Sequence, residues 1–382
     1  MTRPITELQV LDGMTLEDLK TPLNGDYSFA AERERHLERT FLETFDWRVY
    51  QAGGIIEATF GGPGIELSWR KRKNGMLLHR AMLDDPPGFV EDMPPGTFRD
   101  NLSPVLEMRK LLPLVRIETS QQMLRVLGDE EKTVVRVELE RSRYISPDGE
   151  QSGELGMRIH LLPVRGYDAD FDRVSRAFQE LLDPADTTLF DSAVQAIGRV
   201  PRDYSSKLNF RLDPGERCDR TTKVIHLGLL RTLEANIDGS RNNVDSVFLH
   251  DLRVATRRTR SALTQIREVF PSEVVERFKD GFAWVGQITG PTRDMDVYLL
   301  ALDEYKAGLP SMLREELEPL RDFLETHHIT EQKTLARKLG SSQFRKLLKE
   351  WRTFLEAPVP EQPTAANAAR TAKAVADERI WK

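Results

Sequence analysis

The sequence predicts an α+β protein in two parts: an N-terminal antiparallel β-barrel or tunnel-like domain, then an all-α helical bundle. Three observations predict it. Before about residue 210, short runs alternate apolar and charged residues at the two-residue period of a strand. From about 215 the apolar residues recur at helical spacing instead. Short turns holding Pro or Gly then separate the helical runs, at Pro271, Gly290-Pro291 and Gly308 to Pro310.

The strands come first. In GIELSWRKR, Ile65, Leu67 and Trp69 oppose Glu66, Ser68, Arg70 and Arg72. In LVRIE, Val115 and Ile117 oppose Arg116 and Glu118. In KTVVRVELER, Val135, Val137 and Leu139 oppose Arg136, Glu138 and Glu140, and in GMRIHLL, Met157, Ile159 and Leu161 oppose Arg158 and His160. A closed barrel turns one face of each strand into its lumen. Arg70, Arg72, Arg116, Arg136, Glu138, Glu140, Arg158 and His160 are therefore candidate tunnel-lining residues. The wet face of an ordinary antiparallel sheet explains the same alternation equally well. A helix follows at about 168–183, and DDPPG (84–88) and MPPG (93–96) mark loops. Glycines 53, 54, 61, 62 and 64 lack the Lys-Ser/Thr of a phosphate loop and read as turns.

Helices are expected at about 217–237, 246–270, 272–288, 293–307, 310–329, 331–339 and 341–356. The Pro-rich stretch 357–367 breaks the pattern, and a last helix opens near 366 and runs to the end of the chain at Lys382. This gives an N-terminal extension over 1–39, a sheet domain over 40–210 and a helical domain over 215–382.

Composition bounds the function. With 382 residues, 39% hydrophobic and 30% charged, the chain reads as soluble and globular, long enough for two or three domains. No apolar run reaches the roughly 18 residues of a membrane span, and MTRPITELQVLDGM lacks the basic-then-apolar pattern of a signal peptide. Cys218 is the single cysteine, which excludes a disulfide framework and a cysteine zinc site and points to a cytoplasmic protein. The net charge of −6 argues against a general nucleic-acid binder, but the halves differ. Residues 1–210 hold 27 Lys+Arg against 35 Asp+Glu, and residues 211–382 hold 28 against 26. The arginines of the second half are clustered, and clustering governs local anion binding more than net charge.

The densest cluster is FLHDLRVATRRTRSALTQIREVF, 248–270. At about 100° per residue, His250, Arg253, Arg257 and Arg260 share one quadrant, while Leu249, Leu252, Leu263 and Ile266 form a packed face. Guanidiniums at one-turn intervals suit an anion of repeating negative charge, such as a polyphosphate or a nucleic-acid backbone. A solvated charged face is the plainer reading. Against it, only Asp251 interleaves with the cations to offset their repulsion, and all four cations at 253–260 are arginine.

The order TLEANIDG (232–239), LHDLRVATRRTRSAL (249–263) and GPTRDMDVYLL (290–300) resembles the CHAD family, the conserved-histidine α-helical domain. The resemblance implies an all-helical domain that binds inorganic polyphosphate through basic residues. Carried over by motif position, the binding face includes His250, Arg253, Arg257, Arg258 and Arg260. Arg293, Asp294 and Asp296 match the family's RD-x-D phrase, where a capped turn with an Arg293–Asp294 ion pair is the structural reading. Lys223, Arg231, Arg337 and Lys338 are further candidates for the same groove, or ordinary surface cations. His327-His328 lacks a third ligand for a metal. Family members have two similar helical halves, whereas one His-Leu-Arg helix is seen here, so a longer chain or a second copy in a homo-oligomer is expected to supply the other half.

Residues about 40–183 resemble a divergent CYTH domain, a triphosphate tunnel often fused to CHAD, through TFLETFDWRVYQAGG and the charged strand faces that follow. That family's Glu-x-Glu-x-Lys strand is missing from residues 1–30, and Glu138 with Glu140 is the one Glu-x-Glu pair among the strands. The expected function is therefore polyphosphate binding by the helical domain, with a non-catalytic tunnel domain, no cofactor, no membrane partner, and a cytoplasmic location with association to polyphosphate granules. The alternatives are a Mg²⁺- or Mn²⁺-dependent triphosphatase or polyphosphatase in the tunnel, and a nucleic-acid-binding or scaffolding module. The last is disfavoured because no stacking aromatics interleave with the cations.

Overall fold

Alternation in the first half builds ten strands. They are β1 (Thr6–Val10), β2 (Ser28–Ala31), β3 (Arg35–Glu43), β4 (Gly54–Phe60), β5 (Ile65–Lys71), β6 (Leu77–Leu83), β7 (Leu112–Leu127), β8 (Thr133–Ile145), β9 (Ser152–Pro163) and β10 (Asp183–Pro184). The computed structural model describes residues 6–380 apart from positions 12, 24, 63 and 186. The chain divides into two units, Met1–Asp203 and Tyr204–Lys382.

In the first unit the strands form one antiparallel sheet in the order β10-β1-β9-β8-β7-β3-β4-β5-β6, with β2 added to β7. The path is open between β10 and β6 among the described residues, so the expected closed barrel is not formed. β1, β2 and the start of β3 come from residues expected to form an extension. Five helices accompany the sheet: α1 (Leu16–Lys20), α2 (Arg48–Gln51), α3 (Thr97–Leu106), α4 (Asp168–Leu181) and α5 (Leu189–Ala196).

Register decides what each face carries. Gln121 stands opposite Glu140, and Glu140 opposite Arg158, so these three share one polar face. The other face buries Leu8, Leu124, Val137, Ile159 and Leu161 against Phe171, Val174 and Phe178 of α4.

The second unit is helical: α6 (Cys218–Ala235), α7 (Ile237–Arg241), α8 (Ser246–Gln265), α9 (Ser272–Gly308), α10 (Glu318–Leu339), α11 (Ser342–Glu356) and α12 (Ala372–Ile380). Leu252, Phe282, Leu335 and Trp351 form the centre of its core, each 0% exposed. α8 begins where the Asp245 side chain accepts from the Val247 and Phe248 amides, and ends at Gln265 rather than 270.

Three expected breaks are absent or moved. α9 is one helix of 37 residues that contains Gly290 and Pro291, where a turn was expected. Proline takes one amide from the ladder, but α9 packs against both α8 and α10, and tertiary packing outweighs one lost bond. α10 likewise runs through Thr330 without the expected interruption. The last helix starts at Ala372, not 366, and its expected continuation to Lys382 lies outside the described residues.

The TLEANIDG phrase acquires a physical reason here. A Cβ at Gly239 would stand 2.2 Å from the Phe248 ring, so only glycine lets α7 approach α8 this closely. Asn236 donates to the Tyr204 hydroxyl (2.7 Å) and to the Thr232 carbonyl (2.7 Å), and the Tyr204 hydroxyl donates to Asp251 (2.8 Å). The one acid interleaved with the arginine ladder is thus turned inward and buried.

Candidate functional site

The ladder opens onto a cleft between α8 and α9 with a volume of about 570 Å³. α8 contributes His250, Arg253, Val254, Thr256, Arg257 and Arg260, and α9 contributes Ala283, Gly286, Gln287 and Arg293. Five of these ten are His or Arg and none is acidic, so the cleft lining concentrates positive charge.

Each cation is held differently. Arg253 is half-buried, and its Nη1 donates to the Gly286 carbonyl (3.1 Å) and to Thr289 Oγ1 (2.9 Å). Burial lowers its pKa; Asp294 opposes this, and the neighbouring Arg293 and Arg257 charges add to it. Arginine nevertheless stays charged. Arg260 has a buried Nε with no hydrogen-bond partner. Arg257 and His250 are exposed.

Two glycines of α9 face the ladder at ordinary contact distance. A Cβ at Gly286 would meet Arg260 Nη1 at 3.6 Å, and one at Gly290 would meet Arg253 Nη1 at 3.7 Å. The glycines, with Arg293, lie at i, i+4 and i+7 on one stripe of α9. Of the three, Gly290 falls where the sequence predicts a turn. Arg293 is the residue sequence reasoning underrated: its Nη1 lies 3.7 Å from Asp296, so it pairs one turn ahead within a helix rather than with Asp294 in a capped turn.

Other predicted cations stand elsewhere. Arg258, one residue from Arg257, donates to the Ser206 carbonyl (3.2 Å) and does not line the cleft. Lys223 is buried, and its Nζ donates to the Phe354 (2.8 Å) and Ala357 (2.6 Å) carbonyls. It satisfies the free carbonyls at the end of α11, and burial lowers its pKa. Arg231 on α6, and Arg337 and Lys338 in the last turn of α10, are not among the cleft residues either. His328 pairs with Asp296, and His327 packs on Phe323 with ring centroids 4.0 Å apart.

Several charged side chains on the polar face of the sheet are paired with one another. Arg39, which sequence reasoning missed, donates from Nη2 to Thr119 (2.8 Å) and to Glu140 Oε1 (3.1 Å), while His160 Nε2 lies 3.4 Å from Glu140 Oε2. Burial opposes ionisation of Glu140, but His160 and Arg39 outweigh it and hold the pKa at about 2. Burial, together with the neighbouring Glu140 charge, raises Glu138. Arg158 is 2% exposed and donates to Glu7 (2.6 Å), the Thr187 carbonyl (2.7 Å) and Ser192 (2.9 Å). Arg70 lies on the same face, Arg72 packs over the Tyr50 ring at 4.4 Å, and Arg136 is exposed opposite Arg125. Arg116 is on the other face, opposite Thr40 and Ile145, and so does not join Glu138 and Glu140.

A divalent cation does not fit this face. Both oxygens of Glu140 already face cationic or hydrogen-bonding nitrogens, and Gln121 donates to Glu138. Among the described residues no group of three or more His, Cys, Asp or Glu is placed to hold a metal. No helix among them is long and apolar enough to cross a membrane.

Solved structures similar to this chain are distant. One is a candidate adenylate cyclase from Bacillus halodurans, at 14% identity, covering 50% of this chain and 96% of that one with a TM-score of 0.31. Another is a candidate adenylyl cyclase from Hippeastrum described as having a dominant triphosphatase activity, at 10% identity, covering 53% and 99% with a TM-score of 0.34. A third is a protein of Pyrococcus horikoshii, at 9% identity, covering 51% and 98% with a TM-score of 0.30. No curated protein matches the chain. Over residues 225–382, within its helical unit, the chain matches the model of the CHAD domain.

Proposed function

We propose that the helical unit binds inorganic polyphosphate in the cleft between α8 and α9. The observation that carries this reading is the lining itself: His250, Arg253, Arg257, Arg260 and Arg293 converge with no acid among them. Guanidinium forks match successive phosphate oxygens, and Arg253, Arg257 and Arg260 repeat at one-turn intervals along a rigid helix, as a chain of phosphates requires. The sheet unit, whose Glu140 is committed to Arg39 and His160, is read as non-catalytic.

Titration of the full chain with long-chain polyphosphate tests the reading. Binding that weakens steeply with added salt is expected, because it releases counterions. No binding at low salt, or displacement of polyphosphate by duplex DNA at matched charge, would sink it. Metal-dependent phosphate release that disappears in Glu138→Gln would overturn the non-catalytic reading of the sheet unit.

A further inference from the structure

Arg293 reaches the cleft from the middle of a helix, where a long side chain has many rotamers. Two contacts restrict it. Its Nη1 lies 3.7 Å from Asp296 Oδ2, one turn ahead on α9, and donates at 3.5 Å to the Ser246 carbonyl in the first turn of α8. Asp296 is itself fixed from a third helix: His328 Nε2 of α10 stands 2.9 Å from Asp296 Oδ1. The Asp296 and His328 side chains are 7% and 14% exposed, and neither residue lines the cleft.

We propose that Asp296 and His328 are positioning residues that hold the Arg293 guanidinium at the cleft, ready for a phosphate-chain anion. The proposal rests on the phosphate reading of the cleft. A carboxylate with one oxygen free for Arg293 and the other occupied by His328 acts as a fixed hinge rather than as a mobile counter-ion. The long 3.7 Å separation leaves Arg293 able to turn part of its donor fork to a ligand, because a tight bidentate pair would consume both donors. An already ordered Arg loses less freedom on binding than one drawn from solvent. The same chain of contacts ties α8, α9 and α10 together, so a purely structural role is the competing explanation.

A double-mutant cycle separates the two. Long-chain polyphosphate is titrated into the full chain carrying Asp296→Asn, Arg293→Gln, both, His328→Gln or His328→Leu, with a thermal melt of each variant. Arg293→Gln is expected to weaken binding roughly tenfold and to flatten the salt dependence by roughly 0.7–0.9 in log–log slope, the value of one phosphate contact. Asp296→Asn is expected to weaken wild type roughly three- to tenfold while leaving Arg293→Gln unchanged. His328→Gln, which keeps an N–H donor for Asp296, is expected to bind like wild type, and His328→Leu like Asp296→Asn. Equal weakening by Asp296→Asn in both backgrounds overturns the positioning role, as does wild-type affinity in Asp296→Asn. Failure of the unmodified chain to bind polyphosphate overturns the cleft reading itself, and this role with it.

Discussion

Arg253 Nη1 donates to Thr289 Oγ1 at 2.9 Å, a bond that ties the arginine ladder of α8 to the facing helix α9. Thr289 in turn donates to the Val285 carbonyl at 2.8 Å, so one turn of α9 sets where the guanidinium points. The cleft is therefore a two-helix construction. Its cations differ in how much each is committed to the protein, and this orders the expected effects of substitution.

Changing Arg253, Arg257 and Arg260 together to alanine is expected to lower polyphosphate affinity roughly a hundredfold or more at low salt, each lost charge-assisted contact counting for about tenfold or less. Arg258→Ala is expected to bind like wild type, since that side chain is on Ser206 and outside the cleft. Titration calorimetry of the two variants checks the contrast.

Lys223→Met is expected to leave affinity unchanged but to reduce the stability of the helical unit by about 1–3 kcal/mol, because two part-buried carbonyls lose their donor. Urea unfolding alongside the titration decides between this capping role and a binding role.

Gly239→Ala is expected to destabilise the helical unit by about 1–3 kcal/mol through overpacking, since the new methyl would sit 2.2 Å from the Phe248 ring. A wild-type melting temperature would show that α7 and α8 shift apart readily.

His226 is 0% exposed, with neither ring nitrogen hydrogen-bonded, and burial lowers its pKa from 6.5 to about 4. The unfolded chain then binds a proton in a window where the folded chain does not. The resulting stability is complete above about 6.5 and is lost as pH falls toward about 4. His226→Leu is expected to unfold less readily than wild type at pH 5, with the difference shrinking at pH 8. Thermal melts at the two values measure it, and equal shifts at both would refute the account.

Glu140 has the ordinary carboxylate sign. Its pKa is held at about 2, below the usual 4.5, so its contribution is present above about 4.5 and lost as pH falls toward about 2. Glu140→Gln is expected to lower the stability of the sheet unit at neutral pH and to flatten its acid dependence. Unchanged acid unfolding would show that the Arg39–Glu140–His160 network is not what stabilises this face.

Legibility in the sequence followed the range of the interaction involved. The quadrant of His250, Arg253, Arg257 and Arg260 was readable because helical period is local, and all four line the cleft. Arg258 was carried over from a motif rather than from the period, and one residue is about 100° of rotation. Grouping Arg116 with Glu138 and Glu140 requires that the charged positions of every strand share a face. Register sets that parity between strands, and the β7 register places Ile117, Thr119 and Gln121, not Arg116, beside Glu140. Gly290-Pro291 carried the strongest turn signal in the helical half, yet lies inside α9.

The sequence by itself determined the order of sheet then helices, the cationic quadrant of α8 and the family phrase around it, because each depends on residues a few positions apart. Tertiary structure decided which cations share a cleft. It brought Arg293 opposite the ladder, sent Lys223 to the end of α11, and turned Asp251 inward to Tyr204. Those outcomes rest on packing between helices distant in sequence, where the sum of many contacts outweighs the local preference of any one residue.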